Sequence, residues 1–188
     1  MPEHFLLFVG SVEERKNLRR LLEACELLWR AGEHRPLVVV GARLRKQGGI
    51  NETLTRPGLE RRVVFTGYVP EADLPALYSA ADLFVFPSLY EGFGLPPLEA
   101  MACGAPVVCS NSSSLPEVVG DAAVTVDPYD VEALAQAMHR VLSDKNLRDE
   151  LRAKGLARAA QFTWERTARE TWRVYEKVLG EGRRGTGG

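Results

Sequence analysis

Little in this sequence of 188 residues points to a metal, a disulfide framework, a membrane or a nucleic acid. Its three cysteines, Cys25, Cys103 and Cys109, form no CxxC pair and no even set, which excludes a disulfide scaffold and suits small buried thiols in a reducing compartment. The three histidines, His4, His34 and His139, are scattered without metal-ligand spacing, so no residue is a candidate metal ligand. No apolar run approaches the ~18 residues of a membrane span, and Met1-Pro2-Glu3-His4 lacks the basic and then apolar start of a signal peptide. Nor is there an excess of either charge: 24 Lys+Arg stand against 25 Asp+Glu, a net −1 that argues against a nucleic-acid partner. The GxGxxG fingerprint is missing after Val9 and the GxxxxGK[ST] loop is missing throughout, which sets aside nicotinamide-dependent dehydrogenases and P-loop nucleotide hydrolases. A soluble, cytosolic globular chain is expected.

At 45% hydrophobic, a chain of this length builds a substantial core and buries roughly 70% of its unfolded surface. Short β-branched runs alternate with longer helical patterns. Strands are expected at Phe5–Val9, Leu37–Val40, Val63–Thr66, Leu83–Phe86, Val107–Cys109 and Ala122–Val126. Most are continuous apolar runs, which suit parallel strands covered by helices on both faces. The fold class is therefore α/β: a Rossmann-like, three-layer domain around a six-stranded parallel sheet. Leu18, Leu21, Leu22, Cys25, Leu28 and Trp29 mark one face of a helix that Gly32 stops. Further helices are expected over Pro70–Ala80, over Val131–Leu142 with Asp130 as N-cap, and throughout the sequence after Asp144. Residues 1–180 read as one domain, and 181–188 as a disordered tail.

The segment Pro87–Gly104 carries the chemistry. It begins at the carboxyl end of an expected strand, where open parallel sheets bind ligands. Gly92 and Gly94 allow close backbone approach or positive φ, Pro96 or Pro97 suits a first helical turn, and Gly104 suits a helix stop. Free amides at that helix start favour a phosphate. Glu91 precedes the glycine turn and Glu99 lies about one turn into the helix, and each carboxylate can accept two hydroxyls. Vicinal hydroxyls occur on ribose and on hexoses, so a nucleotide sugar is a coherent ligand. For two isolated glutamates, a solvated loop residue and a helix-dipole partner are the competing explanation.

The run Glu91-Gly92-Phe93-Gly94-Leu95-Pro96, followed by Leu98 through Val108, resembles the signature of the group-1 retaining glycosyltransferases of family 4, with glutamates separated by seven residues. Phe8-Val9-Gly10 with Arg15-Lys16-Asn17-Leu18, Val64 through Val69, Ser114 through Val118 and Phe162 through Glu165 are similar to further ordered stretches of the family. The resemblance implies the C-terminal half of a GT-B enzyme, in which two Rossmann-like domains face each other across a cleft. It implies catalytic roles for Lys16, Arg15 and Glu91, with the two cations on the diphosphate leaving group and Glu91 on hydroxyls of the transferred sugar. Gly10, Gly92, Phe93, Gly94 and Leu95 would line the donor, Glu99 would clasp the ribose, and Gly67 and Tyr68 would border the nucleobase. Many members carry arginine after the first strand's glycine, where this chain has Ser11, and Arg15 is expected to supply that guanidinium.

By the same resemblance the substrate is a UDP- or GDP-linked sugar, no cofactor or metal is required, and configuration is retained. A glycosidase would need neither a phosphate-facing helix nor a basic loop. A non-catalytic nucleotide-sugar-binding module or regulatory fragment is the serious alternative, because an N-terminal acceptor-binding domain is missing from this chain. The enzyme as a whole is expected in the cytoplasm, in part at the membrane periphery. Trp164, Ala168, Trp172, Tyr175 and Leu179 form an apolar stripe on the last helix. It serves either the local core or, uncovered, self-association.

Overall fold

The computed structural model describes residues 1–41 and 59–182. Six strands, β1 (Leu6–Val9), β2 (Leu37–Val40), β3 (Val63–Gly67), β4 (Leu83–Phe86), β5 (Val107–Ser110) and β6 (Val124–Val126), form one sheet in the order β3-β2-β1-β4-β5-β6. Every pairing is parallel, from Leu37↔Val63 at one edge to Val108↔Val124 at the other. This is the expected α/β, Rossmann-like class. The described helices are α1 (Leu18–Arg30), α2 (Leu74–Ala80), α3 (Leu95–Ala102), α4 (Leu115–Val119), α5 (Val131–Ser143), α6 (Lys145–Ala159) and α7 (Trp164–Gly182).

The strands β1, β2, β4 and β5 are buried almost without exception because helices cover both faces, which is why their sequences are apolar runs and do not alternate. Leu18, Leu21, Leu22, Ala24, Cys25 and Leu28 bury the inner face of α1, and the helix packs against α5. Opposite, α3 packs against α6 so closely that a Cβ on Gly155 would lie 3.2 Å from the Met101 Cγ. Asp130 and Asp144 cap α5 and α6, accepting the amides of Ala133 and Leu147.

Three stretches differ from expectation. Pro70–Ala80 divides into a 3₁₀ turn, Glu71–Asp73, and α2. The strand expected from Ala122 begins at Val124. The helical pattern after Asp144 breaks between Ala159 and Trp164, and α7 then runs through Gly182, so residues 181 and 182 are helical. The rest of the expected tail, 183–188, lies outside the described residues. From Trp164 to Leu179 every side chain of α7 is exposed, including Trp172 and Tyr175. The stripe therefore does not serve this sheet's core. Among the described residues no helix is long and apolar enough to cross a membrane.

Candidate functional site

Strand order reverses between β1 and β4, since the chain leaves β1 for β2 on one side and β4 for β5 on the other. In open parallel sheets a crevice opens at the carboxyl ends of such a pair. After β1 come Gly10, Ser11 and a 3₁₀ turn at Glu14–Lys16; after β4 comes the loop from Pro87 to Gly94. The Leu89 amide joins the two by donating to the Arg15 carbonyl at 2.7 Å.

Lys16 and Glu91, 75 residues apart in sequence, meet here with Nζ 2.6 Å from Oε1. Both are buried, and the ammonium also lies 4.8 Å from the centre of the Phe86 ring. Arg15 donates from Nη1 to Glu91 Oε2 at 3.3 Å and from Nε to Glu13 Oε2 at 2.8 Å. Glu13 also accepts the Ser11 hydroxyl, and that bond together with the Arg15 guanidinium holds its carboxyl below the usual carboxylate range. A Cβ on Gly10 would already touch the Lys16 stem, at 3.7 Å from Cδ and Cε. Two cations and two carboxylates thus share one small volume.

The glycine loop is shaped by contacts from the β5–α4 turn. Gly94 has φ 107°, and a Cβ there would lie 2.5 Å from Leu115 Cδ2, so any other residue would strain the backbone and displace Leu115. Gly92 adopts no positive φ and a Cβ on it would meet open space; its smallness leaves room beside the loop. Of the first residues of α3, Pro96 and Pro97 carry no N–H, so the expected donors at that helix start reduce to Leu95 and the loop amides before it.

Glu99, one turn into α3, is exposed and accepts the Tyr78 hydroxyl at 2.9 Å. Burial and the Glu99 charge push the Tyr78 phenol up, so it remains a donor. Gly67, with φ 72°, ends β3, and its carbonyl accepts the Gly41 amide at 2.9 Å. Tyr68 beyond it is 79% exposed.

The fold brings Arg15, Lys16, Glu91 and Gly10 into one cluster beside Gly92, Phe93, Gly94 and Leu95. Glu99 pairs with Tyr78, outside that cluster, and Gly67 and Tyr68 stand at the end of β3, two strands from β1. Five supporting residues were not legible as site residues: Glu13, Asn17, Tyr78, Ser113 and Ser114. Asn17 donates to the carbonyls of Pro87 and Pro128, at 3.0 and 2.7 Å. Ser114 Oγ shares its one proton between the carbonyls of Glu91 and Phe93, at 3.0 and 2.8 Å. Asn17 and Ser114 stand within the family-like stretches, which assign them no role; beyond that the local signal is compositional, an asparagine before a helix and a serine run after a strand. A cleft of about 520 Å³ opens on the other side of Phe93, toward Arg158 and the first turns of α7. Its guanidiniums are already engaged, Arg158 by the Glu117 and Val118 carbonyls and Arg166 by Glu170. The chemistry favours the Lys16–Glu91 side. Among the described residues no group of three or more His, Cys, Asp or Glu could hold a metal ion.

Residues 1–158 match the family described as glycosyl transferases group 1. The O-antigen chain mannosyltransferase B of Escherichia coli is 47% identical over 173 residues, which is 92% of this chain and 45% of that protein. The sucrose-phosphate synthase of Thermosynechococcus elongatus superimposes with a TM-score of 0.83 at 32% identity, covering 96% of this chain and 47% of that one. The C-terminal domain of a group 1 glycosyl transferase from Francisella tularensis, at 24% identity and TM-score 0.73, shares the fold over 84% of this chain and 85% of its own. The chain thus spans less than half the length of the full-length proteins it matches.

Proposed function

Since the chain belongs to the group 1 glycosyl transferases, we propose that it is the donor-binding half of a retaining, metal-independent glycosyltransferase that moves a sugar from a nucleoside diphosphate to an acceptor hydroxyl. The observation that carries this reading is the buried Lys16–Glu91 pair, backed by Arg15, at the mouth of the glycine turn. An ion pair taken out of water is costly unless its geometry and further hydrogen bonds offset the desolvation, so this pair is poor evidence for a purely stabilising role. A diphosphate fits Lys16 and Arg15, and sugar hydroxyls fit Glu91.

In the reaction the bond between the anomeric carbon and the phosphate oxygen breaks as the acceptor oxygen bonds to that carbon; negative charge grows on the leaving diphosphate, which takes up the proton of the acceptor hydroxyl. Lys16, Arg15 and the amides of Gly92 through Leu95 meet that charge with fixed donors, the kind of term that dominates many catalytic accelerations. Glu91 holds the sugar, with its carboxylate able to stabilise oxocarbenium character at the anomeric carbon. Glu99, oriented by Tyr78, holds the ribose, and Gly67 and Tyr68 border the base. Cations and amides take the place a metal would have on the phosphates. The name of the Escherichia coli relative makes a mannosyl nucleotide the first donor to try. The acceptor is bound by an N-terminal domain outside this chain, and the enzyme works in the cytoplasm.

The test is binding to UDP, GDP, ADP and their sugars, by thermal shift and calorimetry, with and without a chelator. At least one nucleoside diphosphate is expected to bind equally well in both conditions. Lys16→Ala and Glu99→Ala are each expected to weaken it about tenfold or more, the worth of one charge-assisted contact. Unchanged affinity in both variants sinks the assignment.

A further inference from the structure

Among the described residues two that are not glycine have left-handed backbone, Asn17 at φ 58° and Ser113 at φ 52°. They lie on different loops, yet both bond to the same segment. Asn17 Nδ2 donates to the Pro87 carbonyl at 3.0 Å, where the loop leaves β4, and Ser113 Oγ accepts the Glu91 N–H at 3.0 Å, farther along it. This conformation is unfavourable for any residue with a Cβ, though asparagine tolerates it better than serine. It persists where surrounding contacts over-determine it, and such places cluster at functional sites.

A glycine at 113 would be free of that cost. What serine supplies and glycine lacks is the oxygen that accepts the Glu91 amide. The Glu91 carbonyl is held from the same turn, by Ser114 Oγ at 3.0 Å. With both peptide units flanking its Cα anchored, the direction in which the Glu91 side chain leaves the loop is set, and it leads to Lys16 Nζ at 2.6 Å.

We propose that Ser113 is a positioning residue of the donor site: by accepting the Glu91 N–H from a left-handed turn, it aims the Glu91 carboxylate and so sets the preference for a nucleotide sugar over the bare nucleoside diphosphate. This rests on the reading of Glu91 as the carboxylate that holds the sugar. A residue that only shaped the turn would be matched or bettered by glycine in every respect.

Ser113→Gly removes the hydroxyl and relieves the backbone; Ser113→Ala removes the hydroxyl and keeps the strain. The Gly variant is expected to melt near the wild-type temperature, the relieved left-handed backbone offsetting the lost hydrogen bond. It should nevertheless lose about three- to tenfold of the affinity ratio between GDP-mannose or UDP-glucose and the matching diphosphate, the worth of one hydrogen bond. The Ala variant should lose the same ratio while melting lower. In the ligand-free chain, hydrogen exchange at the Glu91 amide, followed by NMR, should accelerate in both. A wild-type ratio in the Gly variant, or an amide still protected in both variants, overturns the inference and leaves the donor assignment standing. A wild-type chain that binds none of these ligands brings down the donor assignment and the inference with it, a failure visible before any substitution is made.

Discussion

Replacing Glu91 by glutamine removes one charge and almost no volume, and its effects on two ligands should have opposite signs. In the free site Lys16 is committed to Glu91 at 2.6 Å and Arg15 is divided between Glu91 and Glu13. With two cations facing two carboxylates, the cradle that would receive a diphosphate is electrically neutral. The Lys16–Glu91 attraction at that distance is about 6 kcal/mol gross at an effective dielectric near 20, and desolvation cancels most of it. The surviving part is that of a hydrogen bond between charged groups, about 1.5–3 kcal/mol. Glu91→Gln releases that commitment and leaves Lys16 and Arg15 facing Glu13 alone. A bare nucleoside diphosphate should therefore bind tighter, by about tenfold. A nucleotide sugar gains the same release but loses the charged acceptor for its hydroxyls, so its affinity should stay level or fall. The ratio of the two affinities, measured by calorimetry on wild type and variant side by side, should drop by about tenfold or more. Diphosphate affinity that falls in Glu91→Gln as it does in Lys16→Ala, or an equal change for both ligands, would contradict a charge-neutral cradle held closed by Glu91.

If the acceptor is held by a domain outside this chain, as proposed, the 188-residue chain alone should transfer sugar negligibly to any acceptor; efficient turnover by a mass-verified preparation would contradict this. Stability should fall in alkali. Burial pushes the Cys25 thiol up and the Cys109 thiol up to about 12, from ordinary values near 9, and the Tyr78 phenol up from near 10. The unfolded chain releases the thiol protons above pH ~9 and the phenol proton above pH ~10 while the folded chain keeps them, so beyond those points the loss is about 1.4 kcal/mol per pH unit for each group. Urea midpoints between pH ~8 and ~11 should show this slope, shallower in Cys25→Ala and Cys109→Ala; identical slopes would refute it. Lysine substitutions at Trp172 and Tyr175, 62% and 58% exposed, should leave the melting temperature nearly unchanged and reduce any oligomer seen by light scattering, whereas unfolding would mean that α7 is part of the core.

What could be read from the sequence was what local chemistry determines. All six strands and their parallel character follow from apolar runs separated by helical periodicity, because a strand buried on both faces has no room for polar alternation. The glycine turn and the helix after it follow from Gly94 and Pro96, whose backbone constraints act on their immediate neighbours. Lys16 and Glu91 could each be singled out, but not their pairing, which depends on β1 lying beside β4. Tyr78 gave no sign, since an aromatic on a short helix reads as core until its hydroxyl is seen to reach Glu99. Ser113 was hidden for a related reason: nothing local requires left-handed backbone there, and the reason lies in the Glu91 amide. The stripe on α7 was plain as a pattern, yet periodicity does not say what covers a face.

The all-parallel sheet also determines when the site can exist. A parallel pair cannot close through a tight turn, and β1 meets β4 only by matching Leu6 with Leu83, after the segments carrying β2 and β3 have been looped out between them. Contacts of that sequence separation form slowly, because loop-closure entropy must be met before they give anything back. Lys16 and Glu91 hang from the ends of those two strands, so the site is complete only when the central strand pair has closed. A ligand that bridges them can bind no state in which that pair is open. It should slow unfolding while leaving the refolding rate almost unchanged.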